Sequence, residues 1–256
     1  MERQIAYVLL DRPRAVDARL IVQAIRVRYP TLSVEMDSSG ENEDDAQVAF
    51  IRCEGKRITI ANMRFPLPMS DDEGFWNRAA GSWPEAKAVE SGHGAHLLIA
   101  MIDRGESALQ EARWVTAVVG GVLDAVAGCV AVEWASRLVR SAERWRDESR
   151  SAMSDYPNYP ILLWVDIFPV RAAAGIDVLT VGLSSFIGRE IEGEVGKEGP
   201  SGTFSNVANL ALYLIEHGDV IKDGDTFGGS ETERTVARHA MSAHISGVPV
   251  LRVAAE

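Results

Sequence analysis

The chain has 256 residues, 46% of them hydrophobic and 25% charged, a globular balance with enough apolar mass for a sizeable core, so disorder is not the default expectation. Its 37 acidic against 26 basic residues give a formal net charge of −11 and a pI near 5.0, which repels phosphate backbones and argues against nucleic acid or anionic lipid as a partner. Cys53 and Cys129 are its only cysteines and lie far apart in sequence, so neither a disulfide framework nor a thiolate metal site is indicated and a reducing cytoplasm fits.

The hydrophobic run at 5–10 is too short for a signal-peptide core. The most apolar stretch, 115–132, is interrupted by Gly120, Gly121, Asp124 and Gly128, short of the roughly 20 apolar residues that a membrane helix needs. The expectation is a cytoplasmic protein without a membrane partner.

In chain order, 5–10 reads as a strand and 15–29 as a helix, with Val16, Leu20, Ile21, Ala24 and Val27 on one face. Pro30 ends that helix. Residues 32–36 form a short strand, and 48–53 and 57–63 flank Glu54-Gly55-Lys56 as a hairpin. The opening is therefore β-α-β-β-β. Ser70 and Glu73 are spaced as a helix-capping pair ahead of a short helix carrying Phe75, Trp76 and Ala79.

Residues 96–102 read as a buried strand, and 107–126 as a long apolar helix whose Gly120-Gly121 pair predicts close packing against another element or a break. A brief strand at 130–133 precedes an exposed, ion-paired helix over 135–150, with Arg137, Arg140, Arg144 and Arg146 among Glu143, Asp147 and Glu148. Tyr156-Pro157-Asn158-Tyr159-Pro160 reads as a linker, because each proline restricts itself and its predecessor. Beyond it come strands at 161–168, 178–183 and 190–195, and then a helix at 204–217 stopped by Gly218. The last strands are near 226, at 235–243 and at 248–253.

Helices and strands interleave without regular β-α repetition, and hairpins are frequent. The predicted class is α+β, with mixed or antiparallel sheets and packed helices. Either 1–256 is one unit, or an α/β half with long helices (1–150) and a sheet-rich half (161–256) of similar size pack intimately across a boundary at 151–160.

Pro66-Leu67-Pro68 with Trp76 and Trp83, His93-Gly94-Ala95-His96, Leu163-Trp164-Val165, Thr180-Val181-Gly182-Leu183, Glu190-Ile191-Glu192 and Lys222-Asp223-Gly224-Asp225-Thr226-Phe227-Gly228 together resemble a bacterial family of unknown function, numbered 4261. The resemblance spans most of the chain and is best in the carboxy-terminal third. It implies bacterial origin, a single family unit and settings that include secretion-system (type VI among them) and toxin-antidote neighbourhoods. It transfers no catalytic residue.

Four side chains are candidates for chemistry. His93 and His96 could share a metal or a proton, with Glu133, Glu190 or Glu192 completing the site. His93 sits between glycines, however, and His96 opens a strand, so two structural histidines explain the pair as well. Glu190 and Glu192 alternate on one strand and aim at one side of the sheet, as acid-base catalysis would need and as a wet sheet face would also give.

Asp223-Gly224-Asp225-Thr226 lacks the further oxygen ligands of a calcium loop and reads as a tight turn. The glycines between 182 and 202 match neither a phosphate loop nor a dinucleotide fingerprint, and Ser184 and Ser185 lack a nucleophile elbow. No cofactor or metal is expected.

The acidic run Glu35, Asp37, Glu41, Glu43, Asp44 and Asp45 contains no Lys or Arg. It is either a solvated loop or a docking patch for a basic protein. The first functional reading is a non-enzymatic protein-binding protein, concretely an immunity protein neutralising a basic secreted toxin. A metal-assisted enzyme built on His93 and His96 is the second, and a self-associating structural or regulatory subunit the third.

Overall fold

The computed structural model describes residues 4–37, 47–68, 74–135, 137–173, 175–196, 198–227 and 235–255. The chain divides between Leu163 and Trp164 into two unequal units. The expected linker at 156–160 therefore lies within the first unit.

The first unit runs β1 (Ile5–Leu10), α1 (Ala18–Arg28), β2 (Val34–Met36), β3 (Val48–Cys53), β4 (Lys56–Met63), α2 (Gly74–Ala80), α3 (Ala86–Gly92), β5 (Ala95–Met101), α4 (Ala108–Ala125), β6 (Cys129–Trp134), β7 (Leu138–Ser141) and α5 (Ala142–Glu148). Its strands form one sheet in the order β2-β3-β4-β5-β1-β6-β7, every neighbour antiparallel. Buried Val8, Leu9 and Leu10 put β1 at the centre of the unit. The predicted β-α-β-β-β opening is present. Its hairpin turns on Glu54 and Gly55 at φ 49° and 75°, a two-residue turn whose left-handed backbone matches the twist of the strands and favours glycine.

Helices α1 and α4 pack together at the glycine pair. A Cβ on Gly121 would strike Ile25 Cγ1, and one on Gly120 would lie 2.8 Å from Arg28 Nε and 2.9 Å from the Tyr29 hydroxyl. The pair is thus a notch that admits the neighbouring helix. The buried face of α1 is accordingly Ala18, Ile21, Val22 and Ile25. This corrects the expected face: Leu20 and Val27 are exposed, because α1 carries apolar residues on two sides and the notch selects one.

Residues 135–150 are also corrected. Ala135 turns the chain at φ 53°, β7 pairs with β6 from Trp134↔Leu138 to Ala131↔Ser141, and only 142–148 are α-helical. Burial of Leu138, Val139 and Arg140 overrides the helical propensity of an arginine-rich stretch. Ile161–Leu163 is a 3-10 turn rather than a strand.

The second unit runs β8 (Asp166–Ala172), β9 (Gly175–Val181), α6 (Ser184–Ile187), β10 (Glu190–Glu194), α7 (Gly199–His217), β11 (Thr226–Phe227), β12 (Thr235–Met241) and β13 (Pro249–Ala255). Its sheet order is β11-β12-β13-β10-β9-β8, with β10 and β13 parallel and the other pairs antiparallel. Helix α7 rests on β10 where Gly193 leaves room: a Cβ there would lie 2.7 Å from Val207 Cγ2. Gly218 ends α7 at φ 81°, as its position predicts. Two sheets with packed helices make the protein α+β. Among the described residues no helix is long and apolar enough to cross a membrane.

Candidate functional site

The acidic run divides. Glu35 is exposed on β2. Asp37 is buried, and its Oδ2 receives Arg57 Nε at 2.6 Å with Arg52 Nη2 at 3.3 Å, so its charge is used within the first unit. Glu41, Glu43, Asp44 and Asp45 lie outside the described residues, as do Ser70 and Glu73 of the expected cap.

His93 and His96 are buried in the first unit. His93 Nε2 accepts from the Leu67 amide at 2.9 Å while its Nδ1 meets the Val89 carbonyl at 3.0 Å. Nδ1 therefore donates, and both nitrogens serve backbone. His96 Nδ1 meets the Phe65 carbonyl at 3.0 Å, and its ring lies edge-on to Tyr7 and Phe65. Burial lowers the His96 pKa, assisted by His93 and opposed by the bond to Phe65. Together the two rings tie 65–67, ahead of α2, to α3 and β5.

Glu190 is buried in the second unit and accepts four bonds: from the Thr180 hydroxyl at 2.8 Å and from the amides of Gly182, Leu183 and Ser184 at 2.9, 3.0 and 3.0 Å. Three successive amides aimed at one carboxylate close the β9–α6 turn, a use of buried charge that satisfies the carboxylate without a cation.

Glu192, two residues on, faces a different set of partners. Its Oε2 receives Arg252 Nη2 at 2.6 Å, and its Oε1 accepts from the Ser242 hydroxyl and from the Ala243 amide at 3.1 Å. Burial alone would raise the Glu192 pKa, but the bonds from Ser242 and Arg252 and the positive charges of Arg252 and His244 outweigh it, so the carboxyl sits below its usual range. Ser242 Oγ also accepts from the amides of His244 and Ile245, and His244 Nε2 meets Asp177 Oδ2 at 2.8 Å.

Asp177, Glu192, His244 and Arg252 line a cleft of about 450 Å³ in the second unit, which Arg171, Glu194 and the short apolar side chains Ala172, Val195 and Ala243 also border. The serine, histidine and aspartate are not in relay, because the Ser242 hydroxyl is directed at Glu192 while His244 contacts Asp177. Within the cleft Glu192 is paired with Arg252 and Asp177 with His244.

Of the four predicted side chains, the structure puts Glu192 on the cleft, Glu190 beneath a turn, and His93 and His96 in the first unit. Sequence reasoning missed Asp177, Ser242, His244 and Arg252. Only the strand register, Glu192↔Arg252 and Glu194↔Asp177, brings the charged strand positions together. Among the described residues no group of three or more His, Cys, Asp or Glu is arranged to hold a metal ion. Helix α4 is buried from Trp114 to Leu123.

Comparison with curated proteins and with solved structures gives no match. A family model does match, over residues 179–254. That segment begins within β9 and takes in β10, α7, β12 and most of β13, so the match covers the carboxy-terminal third rather than most of the chain. Glu192, Glu194, Ser242, His244 and Arg252 fall inside it. Residues 179–254 thus match the model of the family described as Domain of unknown function (DUF4261).

Proposed function

We propose that the chain is a non-enzymatic protein-binding protein of the bacterial cytoplasm, concretely an immunity protein that neutralises a basic toxin delivered by a secretion system. The observation that carries this reading is the net charge of −11. An acidic protein attracts a basic partner over a Debye length, about 10 Å at 0.1 M salt, and holds it by complementary contacts.

The geometry of the catalytic candidates supports the same reading. Both His93 nitrogens are engaged by backbone, Glu190 accepts four bonds, and the Ser242 hydroxyl is turned to Glu192. His93, Glu190 and Ser242 are thus occupied in holding the fold.

The test is the association rate with the partner isolated from source cells, followed by stopped flow at low and high salt. Electrostatic steering predicts a fall of about tenfold or more between roughly 0.02 and 0.5 M salt, with a smaller change in dissociation rate. A salt-independent association rate removes the charge argument and with it this reading.

A further inference from the structure

Side chains alternate across the second unit's sheet. Gly193 and its neighbour Val178 lie under α7, so Asp177, Glu192, Glu194 and Arg252, one step out of phase, face away from that helix. This face carries the cleft. At about 450 Å³ it lies within the range of small-molecule sites, about 300 to 1,000 Å³.

Its charges are incompletely matched. Asp177 is engaged by His244, and Glu192 by one nitrogen of Arg252. Arg252 is 41% exposed, and its remaining guanidinium donors make no hydrogen bond among the described residues. Glu194 is exposed at the cleft and makes no hydrogen bond or ion pair among the described residues. Arg252 sits beside Glu192 on the adjacent strand, and Glu194 is two positions further along β10. Their backbones are then about 8 Å apart, from strand spacings of about 4.8 Å across and 6.8 Å along.

We propose that this cleft binds a small zwitterion of the amino-acid class, its carboxylate against the Arg252 guanidinium and its ammonium against Glu194. A simple anion would meet the carboxylates of Asp177, Glu192 and Glu194, and a simple cation would meet Arg171 and Arg252. Only a ligand bearing both charges is opposed by neither set. Because Glu192 anchors one edge of the guanidinium, the remaining donors are held in a fixed plane suited to a carboxylate. Ala172, Val195 and Ala243 favour a short aliphatic side chain. The proposal goes beyond partner binding and stands or falls separately from it.

The test uses the full chain and three probes in calorimetric or ligand-observed NMR titrations: L-alanine, acetate and methylammonium. L-Alanine binds saturably, one per chain, about tenfold or more tighter than either singly charged probe. Glu194→Gln changes a side chain without structural bonds, so it keeps the circular dichroism of the parent while weakening L-alanine by about tenfold. Acetate binding as tightly as L-alanine would make this an anion site, and methylammonium doing so would make it a cation site. Either result overturns the proposal, as does the absence of saturable L-alanine binding or an unchanged affinity in Glu194→Gln.

Discussion

Glu192 and Arg252 are register partners on the parallel strands β10 and β13, and their side chains meet at 2.6 Å although they stand 60 residues apart in the chain. Glu192 is 1% exposed and Arg252 41% exposed. The pair therefore couples a buried anion to a partly solvated cation. Arg252→Met leaves the carboxylate buried with fewer donors, and the expected loss in urea unfolding is about 1–3 kcal/mol, below that for a fully buried pair because water reaches the guanidinium. Adding Glu192→Gln to Arg252→Met recovers part of the loss, since the buried charge is then gone.

Gly121 makes a prediction for the first unit. Its missing Cβ is the space that Ile25 occupies, so Gly121→Ala gains helix propensity yet separates α1 from α4. The expected net effect is a loss of about 1–3 kcal/mol in thermal or urea unfolding. Truncating Ile25 to Val in the same chain restores part of it.

His96 fixes the sign of a pH effect. Its folded pKa lies below the ordinary 6.5, so in the window between the two values the unfolded chain binds more protons than the folded one. Stability contributed by neutral His96 is full above pH 6.5 and is lost as pH falls toward the folded pKa. Urea unfolding at pH 7.5 and 5.5 measures it. His96→Gln is expected to lose less stability on acidification than the parent does.

Burial raises the thiols of Cys53 and Cys129 to about 12 from an ordinary 9. The thiolate fraction near pH 8 is then about a thousandfold lower than for an ordinary thiol. Iodoacetamide is expected to leave both unmodified in the folded chain and to label both in urea, with mass spectrometry as the readout.

Much of the fold is legible in the sequence because local patterns encode it. Glu54-Gly55 marks a hairpin, Ser107 caps α4 by accepting from the Gln110 amide, and Gly218 ends α7. What the sequence hides is chosen by tertiary contact. The buried face of α1 is selected by a notch on α4, more than 90 residues later, and β7 forms because β6 lies beside it. The cleft is hidden for the same reason. His244 reaches Asp177 across 67 residues, and neither position carries a motif.

Capture from the source cells is the decisive test of partner binding. The tagged full-length chain is isolated at low salt, and co-purifying chains and metals are identified by mass spectrometry. A basic, toxin-like chain in near-stoichiometric amount, released by high salt, is the predicted result. A stoichiometric metal with no partner chain would contradict the account and return attention to His93, His96, Glu190 and Glu192.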